Sequence, residues 1–585
     1  MATVVVDPVT RIEGHLRIQA EIDPNTNTIT QASSSSTMMR GIELILQGRD
    51  PRDAWVFAQR FCGVCTLVHG ITAVRTVENA LAYSVPPNAQ LIRNLMIAAQ
   101  FVHDHVMHFY HLHALDWVDI LSALKASPLT TATLQQSLSQ WPNNTEAYFA
   151  GVQTKLNNLV NSGQLGIFAN AYWGHPAYQL PPEVNLLAFA HYLEALDWQR
   201  KVAKLHTIFG GKNPHPNFVV GGAPCAISVD STLSNFAGGR TAVNAQGLTT
   251  VKNAIATMRQ FITQVYLPDT KAIASYYKDW ANRGEGIGNF MTYGEFPNPD
   301  DISGIPNAIP GGVILNRNLK QVQPIDLTDP IQVQEYVAHS WYDYSSGKTV
   351  PLHPYSGETK PNYTGPTPPY QQLDVSQSYS WIKAPRWKGL PVEVGPLARI
   401  LMLYAKRHYP TRTLVNSTLA ALNLTFDDLY STLGRVLART LETKIIADMM
   451  PGWYNKLIAN IKAGDVNTFN EAKWDPVNWP ATARGVGYSE APRGALAHWV
   501  TIKNGKIDNY QAVVPSTWNA SPRAPDAQGQ ERDGPYEAAL KGHTLYDPTQ
   551  PLEILRTIHS FDPCIGCAVH LVDPAGRELL EVKVQ

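Results

Sequence analysis

The sequence predicts a mainly α chain with small β elements, an α+β fold, and three observations lead there. Apolar residues recur every three or four positions through roughly 51–125, 184–210, 248–283, 393–408 and 417–462, the period that lays one helix face on a core. Strict alternation is confined to short stretches near the two ends. The chain has 585 residues, 44% of them apolar, so it can bury a large core and is not a disordered composition.

Along the chain, Val4-Val-Val6 and His15-Leu-Arg-Ile-Gln-Ala-Glu-Ile22 alternate and are broken by Asp7-Pro8 and Asn25-Thr-Asn27. Residues 3–30 therefore read as short strands joined by turns. The helical stretches follow. Residues 285–375 are rich in Pro, Gly, Asn and Asp with weak periodicity, which predicts a loop-rich excursion with a few strands. From 498 to 516 the pattern is strand-like again, turning at Lys503-Asn-Gly-Lys506. No internal repeat or low-complexity tract occurs.

The formal net charge is -1 and no basic run is interleaved with aromatics, so no nucleic-acid footprint is present. The start, Met1-Ala-Thr-Val-Val-Val-Asp7, lacks the basic and apolar regions of a signal peptide. No run of about 18 apolar residues suggests a membrane span.

Five cysteines are too few for a disulfide scaffold at this length. Cys225, in Gly221-Gly-Ala-Pro-Cys225, reads as a small buried hydrophobe. The other four form two C-x-x-C pairs, Cys62/Cys65 and Cys564/Cys567. Two such pairs can supply four thiolates to one metal, and structural zinc is the first reading of that pattern. Roughly 500 residues between the pairs is poor spacing for a zinc ribbon. A thioredoxin-like redox pair and an iron–sulfur cluster are the other readings, though no βαβ pattern surrounds either pair.

The neighbours bear on the choice. A histidine follows each pair, His69 and His570, and a charged residue precedes each, Arg60 and Asp562. Four thiolates in a low-dielectric interior need cations nearby, and soft sulfur suits nickel, iron or zinc.

With these residues in hand, the chain resembles the large subunit of nickel–iron hydrogenases, in particular the respiratory uptake group. Eight segments carry the resemblance from end to end: Arg11-Ile-Glu-Gly-His-Leu16, Gly48-Arg-Asp-Pro-Arg-Asp-Ala-Trp55, Arg60-Phe-Cys-Gly-Val-Cys-Thr66, His103-Asp-His-Val-Met-His-Phe-Tyr110, Gly210-Gly-Lys-Asn-Pro-His-Pro216, Glu490-Ala-Pro-Arg-Gly-Ala-Leu496, Val513-Val-Pro-Ser-Thr-Trp-Asn519 and Asp562-Pro-Cys-Ile-Gly-Cys-Ala-Val-His570.

The resemblance implies a central helical bundle with the metal site held between N- and C-terminal segments. One catalytic domain would cover 1–570: a β segment 1–35, a helical body 36–480 with the excursion 285–375, and an active-site segment 481–570. Cys62 and Cys564 would be terminal nickel ligands, and Cys65 and Cys567 would bridge nickel to an iron carrying carbon monoxide and cyanide. Cysteine at 564 sets the chain apart from selenocysteine variants.

Reversible splitting of dihydrogen needs a Lewis acid and a base. By resemblance Glu13 is the first proton relay, although a surface carboxylate paired with Arg11 or Arg17 is its plainer reading. The same resemblance implies that Arg493 overhangs the open metal position, as a base or as a polarising charge, oriented by Asp104 and Asp562 through bidentate pairing. It likewise implies that Pro492 and Ser516 line the diatomic ligands. Val64 and Leu112 match gas-gating positions, and this small pair marks a working enzyme rather than a hydrogen sensor. Magnesium would take Glu43, His570 and a backbone carbonyl, that of Ala512, in an oxygen-rich set. The histidines of 103–113 scatter around a helix on which Asp104, His108 and Leu112 share a face, so they read as packing and hydrogen-bonding groups.

Fifteen residues follow His570. A turn at Asp573-Pro-Ala-Gly576 and a strand-like run suggest a permanent strand or, as the resemblance favours, a propeptide at 571–585. A maturation endopeptidase would remove it after nickel-insertion proteins have acted. Cys225 alone cannot hold an electron-carrying cluster, so an iron–sulfur small subunit is implied, with a membrane cytochrome b or another acceptor beyond it. Export with that partner places the mature protein on the periplasmic side of the membrane and the precursor in the cytoplasm. The competing readings are a zinc-stabilised scaffold and the related quinone-module subunit of respiratory complex I, which generally lacks the paired cysteines.

Overall fold

The structure, a computed structural model, describes residues 2–39, 41–229, 242–298, 307–366, 373–526 and 528–568. His570 and the 571–585 segment, on which the propeptide expectation falls, lie outside the described residues.

The expected N-terminal strands form an antiparallel meander of Ala2–Val6, Leu16–Ile22 and Ile29–Ser36. Alternation puts Leu16, Ile18, Ala20 and Ile22 inward. There they share an apolar core with Ile554, Leu555, Ile558 and Phe561 from the far end of the chain. The N-terminal strands and the 554–565 stretch are therefore packed together, which brings the two cysteine pairs within reach of one another.

Helices make the body. Pro87–Met107 opens with proline at its first position, where no N–H is needed. It packs on the 31-residue helix Thr432–Lys462, whose start is capped by Ser431 Oγ accepting from Gly434 N at 2.9 Å. Pro182–Val202, Ala245–Phe261 and Pro396–Ala405, all overlapping predicted stretches, pack around this pair. Pro128–Leu138 and Glu146–Asn161, capped by Ser127 and Thr145, lie outside the predicted stretches.

One expected register fails. The Pro87–Met107 helix continues as a π-helix over His108–His113, so the 3.6-residue face that would join Asp104, His108 and Leu112 does not persist. The histidines do serve packing and hydrogen bonding. His105 Nε2 lies 2.8 Å from Glu442, His108 Nε2 2.7 Å from the His559 carbonyl and His111 Nε2 3.1 Å from that of Tyr192.

Among the described residues of 285–375 the chain is loop-rich with short strand pairs, as expected. The strand pattern at 498–516 belongs to a larger sheet of Thr482–Ala491, Gly494–Lys503 and Lys506–Val513. The Val68–Ala80 helix, which follows the first cysteine pair, lies against this sheet. Glycine makes the contact possible: a Cβ on Gly487 would stand 2.2 Å from Thr76 N, and one on Gly485 2.4 Å from Thr76 O. Among the described residues no helix is long and apolar enough to cross a membrane.

Candidate metal centre

Cys62 follows a short 3-10 turn, Gln59–Phe61, and its sulfur accepts from the amides of Val64 and Cys65 at 3.2 and 3.1 Å. Cys564 enters from the opposite end. Asp562 before it has φ +59, a left-handed conformation that aspartate tolerates better than most residues, and the Cys564 amide donates to Ser516 Oγ at 3.0 Å. The sulfurs then meet. Cys62 and Cys564 are 3.2 Å apart, Cys65 and Cys567 3.7 Å, Cys564 and Cys567 2.8 Å. All four are buried and lie within 4.8 Å of one another.

Electrostatics fit this set to a soft cation. Burial opposes ionisation of Cys62, yet hydrogen bonds from the other thiols and the Arg493 charge hold it well below the usual thiol range. Burial and hydrogen bonding to neighbouring thiols push Cys564 well above it. Four clustered sulfurs thus do not ionise together unaided. A thiophilic divalent metal would supply the compensating charge.

Arg493 sits between Ala491 and Gly494, the facing ends of two strands of the large sheet. Its Nη1 lies 3.3 Å from Asp104 Oδ2 and its Nη2 3.0 Å from Asp562 Oδ1. The expected bidentate pair is therefore replaced by one nitrogen on each carboxylate, a two-point suspension. Burial disfavours charge on Arg493, but Asp562, Cys564 and Asp104 outweigh it and raise its pKa further. Burial also raises the Asp562 pKa, against the pull of Arg493 and Arg439. Pro492 and Ala491 present their carbonyls to the Arg399 guanidinium at 2.7 and 3.0 Å. Arg399 is in turn gripped by Glu442 and Glu490.

Glu13 bridges Cys564 in parallel-strand fashion: Ile565 N donates to the Glu13 carbonyl at 2.7 Å. Its Oε2 accepts from Gly566 N at 2.7 Å and lies 3.4 Å from Cys564 Sγ. The neighbouring arginines are engaged elsewhere. Arg11 pairs with Asp116 at 2.5 Å, and Arg17 lies 3.6 Å from Asp7.

Val64 and Asp104 line a cavity of about 290 Å³ together with Gly63, Gln100, His103 and Met107. Leu112 is not among its lining residues; its carbonyl accepts from Arg11 Nη1 at 2.5 Å.

Glu43 stands apart from the sulfurs. Its Oε1 accepts from Ala512 N at 2.9 Å and its other oxygen from Thr359 Oγ1. Ala512 therefore meets Glu43 through its amide. Lys383 Nζ lies 3.9 Å from Glu43, 3.3 Å from Glu335 and 3.0 Å from Gln511 Oε1. Among the described residues the four cysteines are the only cluster able to give three or more ligands.

The sequence reading missed Arg399, Glu490 as its partner, and the Lys383–Glu335–Gln511 group. Their partners are distant in sequence and no local spacing marks them. Cys225 is buried, as read, and its thiol is pushed up to about 12 by burial.

A family model described as nickel-dependent hydrogenase matches residues 40–570, and one described as HoxL-like matches 3–33. The chain is 53% identical to the uptake hydrogenase large subunit of Bradyrhizobium diazoefficiens, covering 100% of this chain and 97% of the relative. It is 50% identical to the hydrogenase-1 large chain of Escherichia coli K12, covering 99% and 97%. Among solved structures it is similar to the Ni-Fe-Se hydrogenase of Desulfovibrio vulgaris Hildenborough, at 31% identity, 97% and 100% coverage and a TM-score of 0.73. That of Desulfomicrobium baculatum gives 30%, the same coverage and 0.72.

Proposed function

The chain belongs to the nickel-dependent hydrogenase family as the catalytic large subunit of an uptake enzyme, and from that premise we propose how its residues share the work. Nickel and iron are its metals. Neither a zinc-stabilised scaffold nor a complex I quinone-module subunit is supported.

In this reading Cys62 and Cys564 would hold nickel, and Cys65 and Cys567 would be shared between nickel and an iron that the resemblance furnishes with carbon monoxide and cyanide. The four convergent buried sulfurs are the observation that carries it. When bound, the metals would supply Lewis-acid and redox chemistry, by which dihydrogen yields two protons and two electrons overall. Cys564 Sγ accepts a proton and passes it to Glu13 Oε2, 3.4 Å away. Arg493, fixed between Asp104 and Asp562, keeps a positive charge over the sulfurs and screens them from water. Arg399 holds the Ala491–Pro492 carbonyls so that this overhang and the surfaces of Pro492 and Ser516 stay in place. Val64 lines the way in for gas, and Leu112 is kept as the second gating residue on the resemblance alone.

Electrons leave to an iron–sulfur small subunit. Two features support this partner. After the four site cysteines only Cys225 remains, and Met38, Leu44, Ile45 and Val64 are large apolar side chains 39–43% exposed. Magnesium would take Glu43, the Ala512 carbonyl and His570; the buried Glu43 carboxylate, 2.9 Å from Ala512 N, supports this assignment. Residues 1–570 form the catalytic domain and 571–585 the propeptide removed by a maturation endopeptidase once nickel-insertion proteins have acted; the end of the family match at 570 supports this boundary. Export with the small subunit to the periplasmic side, and a membrane cytochrome b or similar acceptor, complete the reading.

Replacement Cys65→Ser tests it. Co-expressed with the small subunit, the variant is expected to lose essentially all dihydrogen uptake, because a ligand common to both metals is gone. Uptake near the wild-type rate would remove Cys65 from the centre.

A further inference from the structure

The segment Thr10–Gly14 carries the Glu13 carboxylate, and it is fastened from a side that the cysteines do not reach. Arg11 has φ +57 and turns its guanidinium inward, 4% exposed. Nη1 donates to the Leu112 carbonyl and Nη2 to Asp116 Oδ1, both at 2.5 Å. The other Asp116 oxygen accepts from His559 Nδ1 at 2.6 Å, and His559 Nε2 lies 2.8 Å from the Thr10 carbonyl. The contacts close a ring: Thr10, Arg11, Asp116, His559 and back to Thr10.

Asp116 is the hub of this ring, fully buried, on the 3-10 turn Ala114–Asp116 that ends the π-helix. The wide π turn brings the Leu112 carbonyl and the Asp116 carboxylate to one guanidinium. His559 comes from Leu552–Ser560, the helix that leads directly into Asp562 and Cys564. The ring thus ties the Glu13 segment to the element that delivers Cys564. Burial raises the Asp116 pKa, yet Arg11 and His559 outweigh it and hold the carboxyl well below its usual range, as a fixed anion in a charge-assisted network would be.

We propose that Asp116 is a positioning residue for proton transfer: through Arg11 and His559 it sets the Glu13 carboxylate against Cys564 Sγ. The proposal rests on the reading of Glu13 as the relay. It assigns the ring a share in turnover, where a purely structural ion pair would affect stability alone.

The test uses the assembled large–small complex and four variants, Asp116→Asn, His559→Gln, Glu13→Gln and the double Asp116→Asn/Glu13→Gln. Nickel content and infrared bands report the intact centre, exchange of D₂ with solvent protons reports proton transfer, and amide exchange reports the Thr10–Gly14 segment. Asp116→Asn is expected to keep nickel and the bands, to lose amide protection at Thr10–Gly14, and to slow D₂ exchange about 10- to 100-fold, as misplacement on the 1 Å scale does. The double variant is expected to be no slower than Glu13→Gln, because coupled residues are not additive. Wild-type exchange in nickel-loaded Asp116→Asn, or undiminished slowing by Asp116→Asn in the Glu13→Gln background, overturns the proposal. If Asp116→Asn gives no nickel-loaded protein, His559→Gln decides by the same criteria. Wild-type exchange in Glu13→Gln alone overturns the relay reading itself and this proposal with it.

Discussion

At the scale of residues, Arg493 shows how a single side chain depends on two distant carboxylates. Asp104 and Asp562 each take one of its terminal nitrogens, and lysine, a point charge on a flexible stem, cannot span both. Arg493→Lys is therefore expected to retain nickel and iron but to lower kcat for dihydrogen uptake by about 10²–10³, the effect of removing one preorganised electrostatic group. Dye-coupled uptake by metal-loaded enzyme checks this; unchanged kcat would assign the overhang no role. Cys62, Cys65, Cys564, Cys567, Glu13, Asp104, Arg493 and Asp562 were all legible, because each sits in a short motif. Arg399, Asp116 and His559 were not. Arg11 and Asp116 are 105 positions apart and His559 and Asp116 443 apart, and nothing in the flanking residues of either announces the other. Buried ion pairs of this kind exist only once the fold has formed.

Elements were legible where periodicity is strong and were lost where backbone geometry departs from it. The helix pattern located Pro87–Met107 and Thr432–Lys462, but an expected 3.6-residue register ran on through His108–His113, where the structure has a π-helix. Replacing that register with a wide turn is what aims Leu112 O and Asp116 at Arg11. The strand Thr482–Ala491 was missed for a related reason. Its Gly485 and Gly487 weaken a strand pattern, yet they are the positions at which the Val68–Ala80 helix lies on the sheet. Gly487→Ala is expected to destabilise the complex by about 1–3 kcal/mol, the typical cost of overpacking, since its Cβ would stand 2.2 Å from Thr76 N. Denaturant unfolding of the complex measures this. An unchanged midpoint would show that helix and sheet separate more easily than the contact suggests.

For the whole molecule, burial of titratable groups sets the response to pH. His105, His111 and His543 are pushed down to about 4, chiefly by burial, and His108, His113 and His498 lie well below their usual value for the same reason. These six are neutral when folded and charged when unfolded between roughly pH 4 and 6.5, so each makes stability rise with pH across that window. Glu335, Glu490 and Glu537, raised to about 7 by burial, bind protons in the folded state and act in the opposite sense. With His175, His206, His353 and His408, also lowered by burial, and Asp7 and Asp562, also raised by it, ten groups oppose five. The thermal midpoint of the complex is expected to climb from pH 4.5 to 6.5; a fall over that range would contradict this burial pattern. The meeting of residues from near both ends of the sequence in one site was legible only through the end-to-end family resemblance, since spacing alone favoured zinc for the two cysteine pairs. Four sulfurs from those ends, within 4.8 Å of one another, are the central claim. Metal analysis with infrared spectroscopy of the purified large–small complex tests it most directly. One nickel and one iron per large subunit, with carbon monoxide and cyanide bands, is the predicted result; one zinc and no such bands would contradict it.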